Sequence, residues 1–515
     1  MKLKIVKFDI VWFKRDFRLE DHAPIDKAAK NGNNFLGIFI IEPSRLKQKD
    51  NDPIHIDWEL KCAIDLQQRI KLLGGEMIIL YGEVIDLFRK ISSEYDISNI
   101  YSHEETGIEW SYNRDIEFAG WCESQKITWK EYPTNAVIRK LTDRDNWYKS
   151  RTERLLKKVI SAPKQLKFKG ENKFTSIEAI EDIGLEIREL KNRPIPGEFE
   201  AKKVLKSFLN DRGMNYRYEM SSPLTADESC SRLSPYISAG CITIKQILKI
   251  TNDKVKQLKT LEKGNTRRKW LASLNSFKSR LAWHCHFIQK LELQTNLGSR
   301  AMNHELDMRL NRKRDPIKFK KWTTGNTGWP FFDACMRQLI ATGWINFRMR
   351  AMLMSVASYT LWLPWKDTGN YLARHFIDYE PGIHWSQVSM QSGTTGINTV
   401  RAYSILKQST DQDPDGIYIR KWVPELRTVP TEYIHEPWKM SEEMQTQINC
   451  IIGKNYPEPL VDEKEARLEG VSKSYKARGS EKVRKISREI NAKHGSRKGS
   501  RKGKKWVKGK QTKLT

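Results

Sequence analysis

The 515-residue chain reads as an α/β N-terminal domain on an open parallel, Rossmann-like sheet, followed by an all-helical domain. Three observations predict this. Near the start, strand-length apolar runs alternate with helical patterns; beyond about residue 204 every strongly patterned stretch has the helical period; and the length suffices for two sizeable domains.

Ile5–Phe13 reads as a buried strand, Ala23–Lys30 as a helix and Phe35–Ile41 as a second strand, with Asn31, Gly32, Asn33 and Asn34 as the turn. A helix from about Ile56 to Leu73 stops at Gly74–Gly75. Strand Glu76–Tyr81, helix Val84–Glu94 and strand Ser98–Ser102 continue the rhythm. Residues 1–132 therefore form the α/β domain. Residues 133–203 mix short helical pieces with Lys-, Asn- and Pro-containing loops and read as a connector. Residues 204–455 form the helical domain, with helices over Ile244–Ile250, Arg267–Leu291, Phe331–Thr342, Asn346–Leu361 and Tyr371–Ile377. Residues 456–515 read as a basic, disordered tail, because the run from Gly495 to Lys505 cannot bury enough apolar surface to offset its ordering entropy.

The formal net charge is +28, about half of it carried beyond Lys464, so the field of the chain attracts polyanions, nucleic acid first among them. Seven scattered cysteines without a CxxC pair predict free thiols. Met1–Phe13 lacks the apolar run of a secretory signal, and no stretch is long and apolar enough for a membrane span. These readings place the chain in the cytoplasm, associated with the nucleoid in a prokaryote, as a monomer without membrane contact.

Four patterns carry chemistry. Cys230-Ser231-Arg232-Leu233-Ser234-Pro235 precedes a helical pattern and suits either an ordinary helix start or a phosphate site. Arg348 and Arg350 stand in an apolar helix, so at least one needs an acidic partner, and Asp378 and Glu380 are the nearest candidates. Trp322, Trp329, Trp344, Trp362, Trp365 and Trp385 crowd the helical domain as core fillers or as electron carriers. His284 and His286 around Cys285, with His384, lack a further ligand pair at a recognisable spacing, so no metal site is expected.

The run Val11-Trp12-Phe13-Lys14-Arg15-Asp16-Phe17-Arg18 resembles the opening strand and loop of photolyases and cryptochromes. Ser231–Pro235, Thr327–Leu339, Thr342-Gly343-Trp344, Arg348–Arg350 and Ile419–Leu426 resemble that superfamily's flavin-domain signatures, in the same order. The resemblance implies an antenna domain and a helical domain holding FAD. In it, Ser231, Arg232, Leu233 and Ser234 hold the FAD phosphates, with Tyr218 nearby. Arg350 pairs with Asp378 beside the flavin, Glu380 takes the acidic position at its polar edge, and His384 faces N5. It also implies light-driven repair of UV-induced pyrimidine dimers in DNA by electron transfer from reduced FAD, with Trp283 stacking on the lesion. The alternative is a blue-light receptor of cryptochrome type that uses FAD without repair.

Departures from the family leave the lesion subtype open. Phe347 stands where cyclobutane-dimer enzymes carry asparagine and (6-4) enzymes histidine, and Arg280 and His284 replace an acid and an arginine. Trp365 matches the middle tryptophan of the usual electron-transfer triad. Val388 and Met390 occupy the region of the flavin-proximal one, which leaves Trp385 or Trp362 as another route. Cys335 and Cys450 are the only cysteines after Cys285, too few for an iron–sulfur cluster. Glu104, Glu105 and Glu109 lie in the antenna region without choosing between a folate and a deazaflavin.

Overall fold

The computed structural model describes residues 6–141 and 144–495. Strands β1 (Lys7–Phe13), β2 (Asn34–Ile41), β3 (Glu76–Tyr81), β4 (Asp96–His103) and β5 (Thr128–Tyr132) pair in parallel in the order β3-β2-β1-β4-β5. Helices α1 (Ala23–Asn31), α2 (Pro53–Leu72), α3 (Val84–Glu94) and α4 (Glu109–Ser124) make the crossovers. The strands read as near-continuous apolar runs because both faces of the sheet are covered. On one face Ile10, Trp12, Ile38, Ile78 and Ile100 pack against Phe88 of α3 and Phe118 of α4. On the other, Val11, Phe13, Phe39 and Ile79 join one core with Trp58 and Leu66 of α2 and with residues of the helical half.

The chain runs outward from β1 to β3, then returns to β1's other side as β4. The switch point of the sheet therefore lies between β1 and β4, where α/β folds place ligands. The loop after β1 does not face solvent there; it docks on the helical domain. Phe17 N donates to Ala239 O, Arg18 Nη1 to Gly240 O and Leu19 N to Glu198 Oε2. Gly240 has φ +68°, and a Cβ there would lie 2.1 Å from Arg15 O.

Beyond helix α5 (Trp147–Leu156) of the connector come α6 (Glu198–Asn210), α7 (Ser234–Ser238), α8 (Ile244–Thr260) and α9 (Asn265–Leu293). These are followed by α10 (Pro330–Thr342), α11 (Phe347–Ser355), α12 (Trp365–His375) and α13 (Pro381–Gln391), with shorter turns between them. The periodicity predicts a single helix over Asn346–Leu361. Instead α11 widens after Ser355 into a π-turn, Val356–Thr360.

A larger difference lies at the end of the chain. Residues expected in a disordered tail form α14 (Glu463–Arg478) and α15 (Glu481–His494); the tail reading from 496 onward lies outside the described residues. Helix α14 buries Gly470, Ser474 and Ala477, a seam of small residues that leaves little apolar pattern to read. That seam lets the backbone close in on the π-turn, where a Cβ on Gly470 would stand 2.0 Å from Tyr359 O. Helix α15 buries Val483 and Ile490, and Asn303 Nδ2 donates to Val483 O and Ser487 Oγ.

Two predictions follow from this packing. Gly240→Ala forces a left-handed alanine against the β1 loop and lowers unfolding stability by roughly 2–4 kcal/mol, read by denaturant titration; an unchanged midpoint contradicts that docking. Burial also holds eight histidines, 22, 55, 103, 284, 286, 375, 384 and 494, below their ordinary titration range. The unfolded chain therefore takes up protons first as pH falls. The stability these neutral rings contribute is complete above about pH 6.5 and drains below it, by up to about 1.4 kcal/mol per pH unit for each ring. Unfolding midpoints at pH 7.5 and 5.5 should differ steeply, and equal midpoints would refute the assignment.

Candidate functional site

The crevice at the switch point is walled by charge. Arg45 makes a bidentate pair with Glu59 at 2.6 and 2.7 Å, and Arg114 bonds Glu42 and Glu105. Arg15 reaches Glu380 of the helical domain at 3.1 Å. Between these pairs lies a cavity lined by Trp58, Trp110, His55 and Tyr379 among others, polar at its rim and aromatic on its walls. Of the three antenna-region glutamates, Glu105 lines this cavity and is held far below its usual range by Arg114 and Arg15 against the effect of burial. Glu109 lies in the first turn of α4, and burial raises Glu104.

Behind the crevice, Asp16, His22 and His103 form a buried cluster that the sequence gave no spacing signal for. Asp16 Oδ2 accepts from His103 Nδ1 at 2.6 Å, and His22 Nε2 lies 3.0 Å from the same oxygen. His22 Nδ1 accepts from Ile25 N, so the ring's proton sits on Nε2 and no lone pair is left there for a metal. The cluster is a hydrogen-bonded anchor for the β1 loop.

In the helical domain the two halves of the expected flavin site come together. Trp344 Nε1 donates to Ser234 Oγ at 3.3 Å, and the Arg232 guanidinium lies 3.8 Å over the Trp344 ring while Nη1 bonds Asp227. Ser234 also donates to Asp378. Asp378 accepts two parallel bonds from Arg350, both at 2.9 Å, and Arg350 Nε donates to Ile345 O. Burial raises the Asp378 carboxyl, but Arg350 reverses this and holds it below its ordinary value. Ser231 Oγ accepts from Leu233 N, and Arg232 has φ +58°. Nearby, Asn346 Oδ1 and Arg348 Nε are buried without partners. Two hydroxyls and a guanidinium beside a fixed carboxylate–guanidinium pair form a donor set that suits a pyrophosphate and a polar heteroaromatic ring.

The remaining expected residues divide. His384 is buried, its Nε2 donates to Gly369 O at 2.9 Å, and burial lowers its pKa to about 3, leaving Nδ1 as an acceptor. Its ring abuts Trp385 at 4.9 Å, and Trp385 meets Trp365 edge-on at 6.1 Å. Trp365 Nε1 donates to Asp307, and Trp385 Nε1 to Tyr379 Oη and Asp50. Trp362 lies under two cations instead, Arg312 and Lys473. Glu380 is spent on Arg15 and on capping α13 through Gly382 N. Tyr218 is 61% exposed on a short surface helix and does not join the group.

Trp283 and Phe347, both about half exposed, sandwich Arg280, whose guanidinium lies 4.4 Å from each ring. The sequence named these residues only as departures. The spacing of Arg280 and Trp283 on α9 could not reveal that Phe347 of α11 closes the stack.

Residues 9–149 match the family model for DNA photolyase, and residues 277–476 that for the FAD-binding domain of DNA photolyase. A deoxyribodipyrimidine photo-lyase of Alkalihalophilus pseudofirmus is 28% identical over 90% of this chain and 96% of its own length. A cryptochrome DASH of Gloeobacter violaceus is 25% identical over 88% and 93%. The solved structure of a Synechocystis cryptochrome aligns with a TM-score of 0.80 at 22% identity, covering 93% of this chain and all of that one. A class III photolyase from Agrobacterium tumefaciens aligns at 0.79 and 21%, covering 93% and 99%.

Asp378→Ala leaves a largely buried Arg350 without its carboxylate, a loss on the order of 3–5 kcal/mol. The variant should purify with less bound FAD and a lower melting temperature; full flavin occupancy at unchanged stability would reject the pairing as a support of the site.

Proposed function

The chain belongs to the photolyase and cryptochrome superfamily and carries its FAD-binding domain, and we propose that it repairs UV-induced pyrimidine dimers in DNA under light. The observation that carries this reading is the Trp283–Arg280–Phe347 stack: two exposed aromatic faces with a cation between them, on a chain of net charge +28. Exposed aromatics stack on unpaired bases, and a guanidinium beside them suits the charge of a distorted strand. A receptor that never admits DNA has no use for such a mouth.

Reduced FAD, when bound, supplies the light-excited electron. Ser231, Arg232, Leu233 and Ser234 hold its phosphates, and Arg350, locked by Asp378, presents a fixed positive edge to the ring system. His384, neutral and with its proton committed to Gly369, can accept a hydrogen bond at N5 but cannot donate one from Nδ1. Trp283 and Phe347 hold the lesion and shed water from it. Trp385 and Trp365 form the path by which electrons are replenished: the carboxylates of Asp50 and Asp307 on their indole N–H groups stabilise a positive charge on either ring. The cations over Trp362 disfavour it there.

The test is anaerobic blue-light illumination of the reduced protein with oligonucleotides carrying a cyclobutane dimer or a (6-4) product, scored by chromatography. Light-dependent restoration of one lesion, reduced at least tenfold in Trp283→Ala, is expected. Flavin-loaded protein that restores neither would move the assignment to a photoreceptor.

A further inference from the structure

We propose that the chain has a second site, an anion pocket for a phosphate group, formed by His286 and Lys290 of α9, Arg144 and Trp147 of the connector and His494 at the end of α15. His286 and Lys290 stand four residues apart, on one side of the helix. Arg144 Nη2 bonds His286 Nδ1 at 2.8 Å, which leaves the proton of a neutral ring on Nε2. Trp147 meets His286 edge-on at 6.0 Å, and its indole N–H is buried without an acceptor. His494 is 1% exposed; its Nε2 is engaged by Gln294, and its Nδ1 is buried without a partner.

Lys290 is 5% exposed, and its ammonium makes no ion pair or hydrogen bond among the described residues. The charges that act on Lys290, His286 and His494 are those of one another, Arg144 and Lys493, and none is a carboxylate. Glu292, two residues along α9, is turned to Thr106 and Tyr112 instead. Burial and Arg144 lower Lys290 to about 8, so the protein strains to keep the charge there. Elsewhere the chain pairs its buried cations, as with Arg350–Asp378, Arg114–Glu42 and Lys14–Asp115. A buried cation without an anion is costly, and a cluster of them is complementary to a ligand that only accepts hydrogen bonds. The guanidinium fork, ammonium, imidazole and indole N–H groups are all donors, the set a phosphate requires.

This inference goes beyond the repair reading and stands without it. Its ligand has two sources. Lys290 lies about 10 Å along α9 from Trp283, at 1.5 Å per residue, which is within reach of a phosphodiester flanking a base at the mouth. A free phosphate or phosphomonoester is the other source.

The test is thermal unfolding of the full-length, flavin-containing protein in the dark, in chloride buffer with and without inorganic phosphate at constant ionic strength. Phosphate should raise the melting temperature of the wild type. Lys290→Met should be more stable than the wild type without phosphate and gain nothing from it; Trp147→Phe, which removes only the indole N–H, should reduce the gain. Salt titrations of single-stranded oligonucleotide binding separate the sources. A log–log slope shallower by about 0.7 in Lys290→Met assigns the pocket to a strand phosphate, and an unchanged slope with the phosphate gain intact assigns it to a free one. An equal gain in wild type and both variants overturns the pocket, as does no gain together with no change of slope. No readout requires light, so failure of the pocket and failure of repair are distinguishable.

Discussion

A charge taken out of water must meet an opposite charge or a full set of hydrogen bonds, and the loop from Lys14 to His22 concentrates that requirement. Lys14, Asp16, Arg18, Asp21 and His22 are all buried. Their partners come from three directions: Asp115 from α4, His103 from the end of β4, and Gly240, Thr243 and Lys245 from the helical domain. No smaller assembly satisfies them, because removing either half exposes or orphans several of these groups together. The two halves are therefore one packed body, and the crevice between them has walls set by ion pairs instead of by mobile side chains.

The same rule builds the flavin side. Ser234, Trp344, Asp378 and Arg350 form a continuous chain of donors and acceptors drawn from four separate segments. Asp378 is the joint in that chain: its carboxylate takes the Arg350 fork and the Ser234 hydroxyl at once, which fixes the guanidinium's plane. A bidentate pair is far stiffer than a lysine–carboxylate contact, and preorganisation of this kind lets a cofactor's electronics be set by fixed charge.

Much of this was legible in the residues. Strands β1 to β4 announced themselves as apolar runs of the right length between Gly, Asn and charged turns. The need of Arg350 for an acid pointed directly to Asp378. What stayed hidden was hidden for physical reasons. Helix α14 docks through glycine, serine and alanine, and a small-residue seam carries no hydrophobic period. The Asp16–His22–His103 anchor joins a β1 loop to the end of β4 across about 80 residues, and only the parallel register brings them together. Glu380 was expected at the flavin because nothing local shows that Arg15, 365 positions earlier, claims its carboxylate.

Helix α9 shows how the parts are coupled. At its C-terminal end Glu292 bonds the antenna half through Thr106 and Tyr112, and Gln289 holds both the N–H and the C=O of Ile138. One to two turns earlier come Lys290 and His286, cationic and without acids; then Trp283 and Arg280 open to solvent at the mouth. Acidic groups are thus confined to the end that faces the N-terminal domain, and positive charge increases toward the end that faces outward. A single rigid rod anchored at one end in paired charge and carrying unpaired cations along the rest presents a polyanion with a graded field. The protein spends its pairing on holding the helix in place and leaves the remaining cations available for a ligand.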